Sequence, residues 1–158
     1  MRPATLLLAA LMALVAGCGF HLQGTVPIAG DLQRLTLQVA DGQSDFVSAL
    51  QSSLRSAGVD VTPGSETVLV IERDELLERV ASVSARNLPR EYELTYAVRF
   101  SVKVRGETRI ANEPVLVTRD FSFDERLALA KERERDQLRQ TLAEEAASIV
   151  LQRLSSLR

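Results

Sequence analysis

The clearest pattern in the chain runs from Tyr92 to Arg105. Tyr92, Leu94, Tyr96, Val98, Phe100, Val102 and Val104 share one parity, and Glu93, Thr95, Ala97, Arg99, Ser101, Lys103 and Arg105 the other. A period of two is that of a strand with one buried and one open face. Residues 33–40 repeat it briefly, with Leu35, Leu37 and Val39 set against Thr36 and Gln38. Residues 67–85 read as a long, irregular strand. Its alternation slips around Asp74–Glu78, where a bulge or one helical turn is expected. Pro114 opens a further strand through Val115, Val117, Arg119, Phe121 and Phe123. Arg86–Glu91 and Gly106–Glu113 read as loops, the first because Pro89 lacks the N–H of a regular ladder position.

Two segments change period. Phe46, Val47, Leu50, Leu54 and Ala57 recur at helical spacing between the capping pair Ser44-Asp45 and the stop signal Gly58, which predicts a helix over 45–57. Val59 to Val61 extends briefly from it, and Thr62-Pro63-Gly64-Ser65 turns the chain. Asp124 is a candidate cap for a last helix, whose stripe runs from Leu138 through Leu142, Ala146, Ile149, Val150, Leu154 and Leu157. Lys131 to Asp136 is charged at every position, a solvated part of that helix or its frayed start. The order is β-α-β-β-β-α. Both helices must bury a stripe and the sheet offers one apolar face. The expected fold is therefore an α+β two-layer sandwich, a four-stranded, mostly antiparallel sheet with two helices on one face. The other sheet face, with Thr95, Arg99 and Lys103, is either solvated or meets a partner.

The N-terminal segment follows neither period. Arg2 precedes an uncharged apolar run from Leu6 to Ala16, the pattern of a secretory signal. The run is shorter than the roughly 20 residues of a spanning helix. It ends in Leu14-Val15-Ala16-Gly17-Cys18, which resembles a bacterial lipobox. That reading makes Cys18 the lipidation site. It also accounts for a lone cysteine in an oxidising compartment, where cysteines usually pair. Gly19, where an Asp would favour retention at the inner membrane in the lipoproteins this start resembles, points to the outer membrane. The expected organisation is a signal peptide over 1–17, a lipidated tether over 18–32 and a single domain over 33–158.

Composition narrows the function. The single cysteine allows no intramolecular disulfide, and a 46% apolar content suits a domain held by a hydrophobic core. Removing the signal leaves 18 basic and 21 acidic residues, a balance that gives no support to nucleic-acid binding. There is no tryptophan for an aromatic sugar platform. The one histidine, His21, lies in the tether with no second ligand beside it, so no metal site is expected. No Gly-rich phosphate loop, GxSxG elbow or HExxH is present, and no nucleophile, base and orienter can be assembled. The expectation is a non-enzymatic protein whose only attached group is the lipid on Cys18.

Several stretches, in order, resemble the LPS-assembly lipoproteins of the LptE family. They are Cys18-Gly19-Phe20-His21-Leu22, Ala81-Ser82-Val83, Arg86-Asn87, Glu91-Tyr92, Leu127-Ala128-Leu129-Ala130-Lys131 and Leu151-Gln152-Arg153-Leu154. The resemblance implies an outer-membrane lipoprotein, anchored on the periplasmic side. Such a protein plugs and helps assemble an LptD-like β-barrel, and it contacts lipopolysaccharide during insertion into the outer leaflet. It also implies lipopolysaccharide-binding cations at Arg86, in the hairpin loop, and at Lys131, near the last helix. Arg90 is the alternative loop cation. Arginine recognises phosphate bidentately and lysine acts as a point charge, so both suit such a headgroup. The competing reading is an auxiliary lipoprotein of another periplasmic transport or envelope complex, binding protein alone.

Overall fold

A computed structural model describes residues 30–40 and 42–157. The signal peptide, Cys18, His21 and the tether as far as residue 29 lie outside the described residues. The elements follow in order: β1 (Arg34–Gln38), α1 (Asp45–Ser56), β2 (Asp60–Val61), β3 (Thr67–Val83), β4 (Pro89–Val104), β5 (Glu107–Ser122) and α2 (Ala128–Ser156). One 3-10 turn, Gly30–Leu32, precedes β1, and another, Glu125–Leu127, precedes α2.

The strands form one sheet in the order β2-β1-β3-β4-β5. β1 runs parallel to β2 and β3, whereas β3, β4 and β5 form the expected antiparallel meander. The α+β class holds, but the sheet has five strands rather than four. β2 pairs only Asp60 and Val61, with Arg34 and Leu35, and two residues are too few to show an alternation. Leu32, assigned to the tether from its lack of period, is buried in the core.

One hydrophobic cluster joins the layers. Phe46, Val47, Leu50 and Leu54 of α1 meet Leu142, Ala146, Val150 and Leu154 of α2 over Leu94, Tyr96, Val98, Phe100 and Val102 of β4. The face of β4 predicted to be buried is the buried one. At its far end α1 stops at Gly58, whose φ of 77° suits glycine. At its start the Ser44 hydroxyl accepts the Val47 N–H at 3.0 Å. Ser44 also donates to Asp74, which accepts the Tyr96 hydroxyl at 2.9 Å. Burial and that bond to Asp74 push the Tyr96 hydroxyl well above its ordinary pKa.

Three local expectations change. β3 bulges at Glu72, between Ile71 and Arg73, pairs regularly from Arg73 to Val80, and shifts register again around Ser82. The alternation slipped because polar side chains stand on the inner face: Asp74 serves Tyr96, and Glu78 pairs with Arg135 at 2.7 Å. Gly106–Glu113 is strand, not loop. Arg105 and Gly106, with φ of 51° and 82°, form a two-residue turn of the primed type that brings Glu107 opposite Val104. Pro89 is inside β4 opposite Val83, at the first strand position, where a missing N–H costs no ladder bond.

The bulges at Glu72 in β3 and near Asn112 in β5 flank the same stretch of β4. Ser101 ties them, donating to Glu72 at 2.5 Å and accepting the Asn112 N–H at 2.9 Å. Bulges increase local twist, and this pair coils the sheet around the helices.

Candidate functional site

The sequence-predicted cations gather at one end of the sheet. There β3 turns into β4 through Ser84–Leu88. The Asn87 N–H donates to the Ser84 carbonyl at 2.9 Å and Asn87 has φ of 60°. That is a type I turn followed by a left-handed residue, a common three-residue hairpin connection. Asn is among the few non-glycine residues that tolerate it. Arg86 occupies the apex and Arg90 lies at the base, both exposed. Neither forms an ion pair or side-chain hydrogen bond with a described residue.

The hairpin base is joined to the turn before α2. The Phe123 N–H donates to the Arg90 carbonyl at 2.7 Å, and Tyr92 stacks on Phe121 with ring centroids 5.4 Å apart. Asp124, expected to cap the last helix, caps the 3-10 turn instead, accepting the Arg126 N–H at 3.0 Å. Between hairpin and turn lies an open hollow of about 650 Å³. Arg90 and Arg126 line it with Val83, Leu88, Pro89, Phe123, Glu91 and Asp124.

Lys131 does not line this hollow. Its amine bonds Glu134 at 2.7 Å and Ser122 at 3.3 Å, and its side chain is only 16% exposed. It lies instead in a neighbouring cavity of about 150 Å³ with Glu78, Tyr92, Phe121 and Arg135. The charged run Lys131–Asp136 is regular helix, held over the sheet by Arg135 and Lys131.

Two features of this end escaped the sequence reading. Arg126 shares the hollow with Arg90 and likewise has no charged partner among the described residues. Five of the eight large apolar side chains that are exposed among the described residues are here: Val80, Val83, Leu88, Leu127 and Leu129. Isolated exposed apolar residues are ordinary, but a cluster marks contact. The only sequence signal was apolar residues standing next to turn residues, where no buried face was available to them.

The opposite end differs. Arg105 bonds both Glu66 and Asp31 at 3.1 Å, so its charge is spent within the fold. Among the described residues no group of three His, Cys, Asp or Glu side chains is placed to hold a metal ion. No described helix is long and apolar enough to cross a membrane.

The fold and tip define a small α+β domain with uncommitted arginines and exposed aliphatic side chains at one end of its sheet. Comparison with known proteins sharpens this class. The model of the LptE family, described as lipopolysaccharide-assembly, matches residues 32–154. The chain belongs to the LptE family. The LPS-assembly lipoprotein LptE of Pectobacterium atrosepticum is 30% identical over 155 residues, covering 95% of this chain and 83% of that protein. The protein of the same name from Yersinia pestis is 32% identical, covering 97% of this chain and 75% of its own. Among solved structures, rare lipoprotein B from Shewanella oneidensis superposes with a TM-score of 0.69 at 29% identity, over 78% of this chain and 94% of that one. Lipoprotein B from Nitrosomonas europaea, at 22% identity and a TM-score of 0.72 over 87% and 91%, shares the fold.

Proposed function

We propose that this chain is a non-enzymatic outer-membrane lipoprotein, attached through lipid on Cys18 and lying on the periplasmic side. It plugs an LptD-like β-barrel and contacts lipopolysaccharide on its way to the outer leaflet. The observation that carries this reading is the family match over residues 32–154. Arg86 and Arg90, the loop cations, stand uncommitted at the tip. Lys131 joins them only by exchanging Glu134 for the ligand. The barrel wall fits the open sheet face. There Leu77, opposite Thr95, and Leu116, opposite Ala97, are exposed, with the Thr95 and Thr118 hydroxyls 2.9 Å apart. Arg99 and Lys103 are exposed on the same face.

Two measurements test it. Native mass spectrometry of the complex extracted from membranes should show the chain with its lipid and a barrel partner. Recovery of the chain without a barrel, or with another transport complex, favours the protein-binding alternative. Lipopolysaccharide binding should weaken with salt, because exposed charges are screened. It should weaken further in the folded double variant Arg86→Asp, Lys131→Asp. Unchanged binding by that variant makes both cations bystanders.

A further inference from the structure

The register of β3, β4 and β5 divides the open face of the sheet into three zones. Toward the hairpin tip, Glu93 stands between Arg79 of β3 and Asp120 of β5. Arg79 forks onto Glu93 at 2.5 and 2.8 Å, and exposed Asp120 makes no ion pair among the described residues. The middle rows hold Leu77 and Leu116, 44% and 67% exposed, beside Thr95 and Ala97. Toward the other end Arg73 and Arg99 stand directly opposite each other, with Lys103 beyond. Like charges in that position repel. Glu75 offsets Arg73, whereas Arg99 and Lys103 are exposed and form no ion pair among the described residues. The face is thus acidic toward the tip, apolar in the middle and basic beyond.

We propose that this face packs against the same face of a second copy, strands antiparallel, in a weak and reversible dimer. A two-fold axis lying in the face and crossing the strands at the level of Tyr96 lays β4 over β4. It sets Arg99 over Glu93 and beside Asp120 of the second copy, and Leu116 over Thr118. Arg73 and Arg79 also meet, each with its own carboxylate, Glu75 and Glu93. Sheets packed face to face lie about 10 Å apart and within about 30° of alignment, a gap the leucines fill. The rows from Glu93 to Arg99 on three strands cover roughly 300 Å² per copy, and those from Glu91 to Lys103 roughly 600 Å². A standard complex buries about 800 Å² per partner, so this dimer belongs with the transient ones. An anionic lipid surface would suit Arg99 and Lys103 but meet Glu93 and Asp120 with like charge. On the plug reading the barrel wall takes the same face, and a weak dimer yields to it. Self-association itself does not depend on that reading.

The test is analytical ultracentrifugation of the full chain with Cys18→Ala, so that lipid does not drive association. From about 10 μM to 1 mM it should show a monomer–dimer equilibrium whose Kd rises with salt. Arg99→Glu and Asp120→Lys should each weaken the dimer roughly 10-fold or more, because each change acts twice across the two-fold axis. Mixed together, the two variants should associate more tightly than either alone, since a mixed dimer keeps one native contact and exchanges the signs of the other. Arg55→Glu, the same charge change on the exposed side of α1, should leave Kd unaltered. Circular dichroism confirms folding, and Asp120→Lys with Leu116→Ser carries the test if Arg99→Glu unfolds. A chain that stays monomeric to 1 mM overturns the proposal. So does a dimer indifferent to the open-face substitutions, which would use another surface. Mixed variants that associate no better than either alone overturn the antiparallel two-fold arrangement.

Discussion

Replacing Phe100 by alanine should unfold the domain far more readily than replacing Leu116 by alanine, although both are large apolar residues of the same sheet. Phe100 is fully buried, opposite Ile71 of β3 and Glu113 of β5, at the level where two bulges coil the sheet. The sheet cannot flatten onto the vacated volume there, because Ser101 holds both bulged strands. A buried Phe→Ala change costs about 3–5 kcal/mol. Domain stabilities are about 5–15 kcal/mol, and a domain of this size shifts its melting temperature by about 3–5 °C per kcal/mol. The expected loss is therefore about 10–25 °C. Leu116 is 67% exposed on the open face, so Leu116→Ala should change stability by less than about 0.5 kcal/mol. Thermal melts of both variants by circular dichroism read the difference. Equal shifts, or a larger one for Leu116, would refute the assignment of the helix-bearing face as the core.

Further outcomes follow from single contacts. Asp74→Ala removes the acceptor of both Tyr96 and Ser44, and should cost about 1–3 kcal/mol in denaturant unfolding, with Asp74→Asn losing less. Asn87→Val should destabilise the tip by about 1–2 kcal/mol while Asn87→Gly should not, because the residue has φ of 60°. The Arg79 guanidinium bonds Glu93 at 2.5 Å and holds its carboxyl below the ordinary value of 4.5. The folded state thus favours the ionised form. The pair's contribution is complete above pH 4.5 and is lost as pH falls through the folded value. In an NMR titration, Arg79→Ala should move Glu93 back upward; an unmoved titration would deny the coupling. Cys18→Ala should release the chain from membranes in cells depleted of the barrel while leaving the folded domain's dichroism intact. Retention on those membranes would count against a lipid anchor.

The fold was legible where one side chain face did one job. The alternation of β4 and the stripe of α2 from Leu138 both report burial in the one core between sheet and helices, and both are found as read. The reading failed where backbone geometry or a polar inner contact decided. Arg105-Gly106 makes a tight turn through two positive φ values, and only its glycine is a recognisable signal. Asp74 and Glu78 broke the pattern of β3 because they answer Tyr96 and Arg135, residues remote in sequence. The tip was half legible. A motif can mark Arg86, Arg90 and Lys131, but it cannot show that Glu134 already holds Lys131 or that Arg126 stands in Arg90's hollow.

The placement of the two ends bears on how a tethered plug would work. The described residues begin at Gly30–Leu32, where the Asp31 carbonyl accepts the Thr67 hydroxyl at 2.8 Å, beside the first residue of β3. The hairpin tip lies at the other end of that strand, which runs from Thr67 to Val83. At about 3.3 Å per residue the two ends are about 50 Å apart, somewhat less after twist and bulges. A bilayer with its headgroups is about 40–45 Å thick. A domain anchored at the periplasmic side and standing upright in a barrel lumen would therefore carry its tip across the membrane's full depth. The end where Arg105 pairs with Glu66 and Asp31 would stay by the anchor, and the tip's arginines and aliphatic side chains would lie toward the outer leaflet. On this reading the long β3–β4 hairpin would serve that reach, and shortening β3 and β4 by matched pairs of residues should reduce lipopolysaccharide delivery to the cell surface before it affects folding. Delivery that persists with the shortened hairpin, measured as surface lipopolysaccharide in cells carrying a folded variant, would show that the tip does not act at a distance.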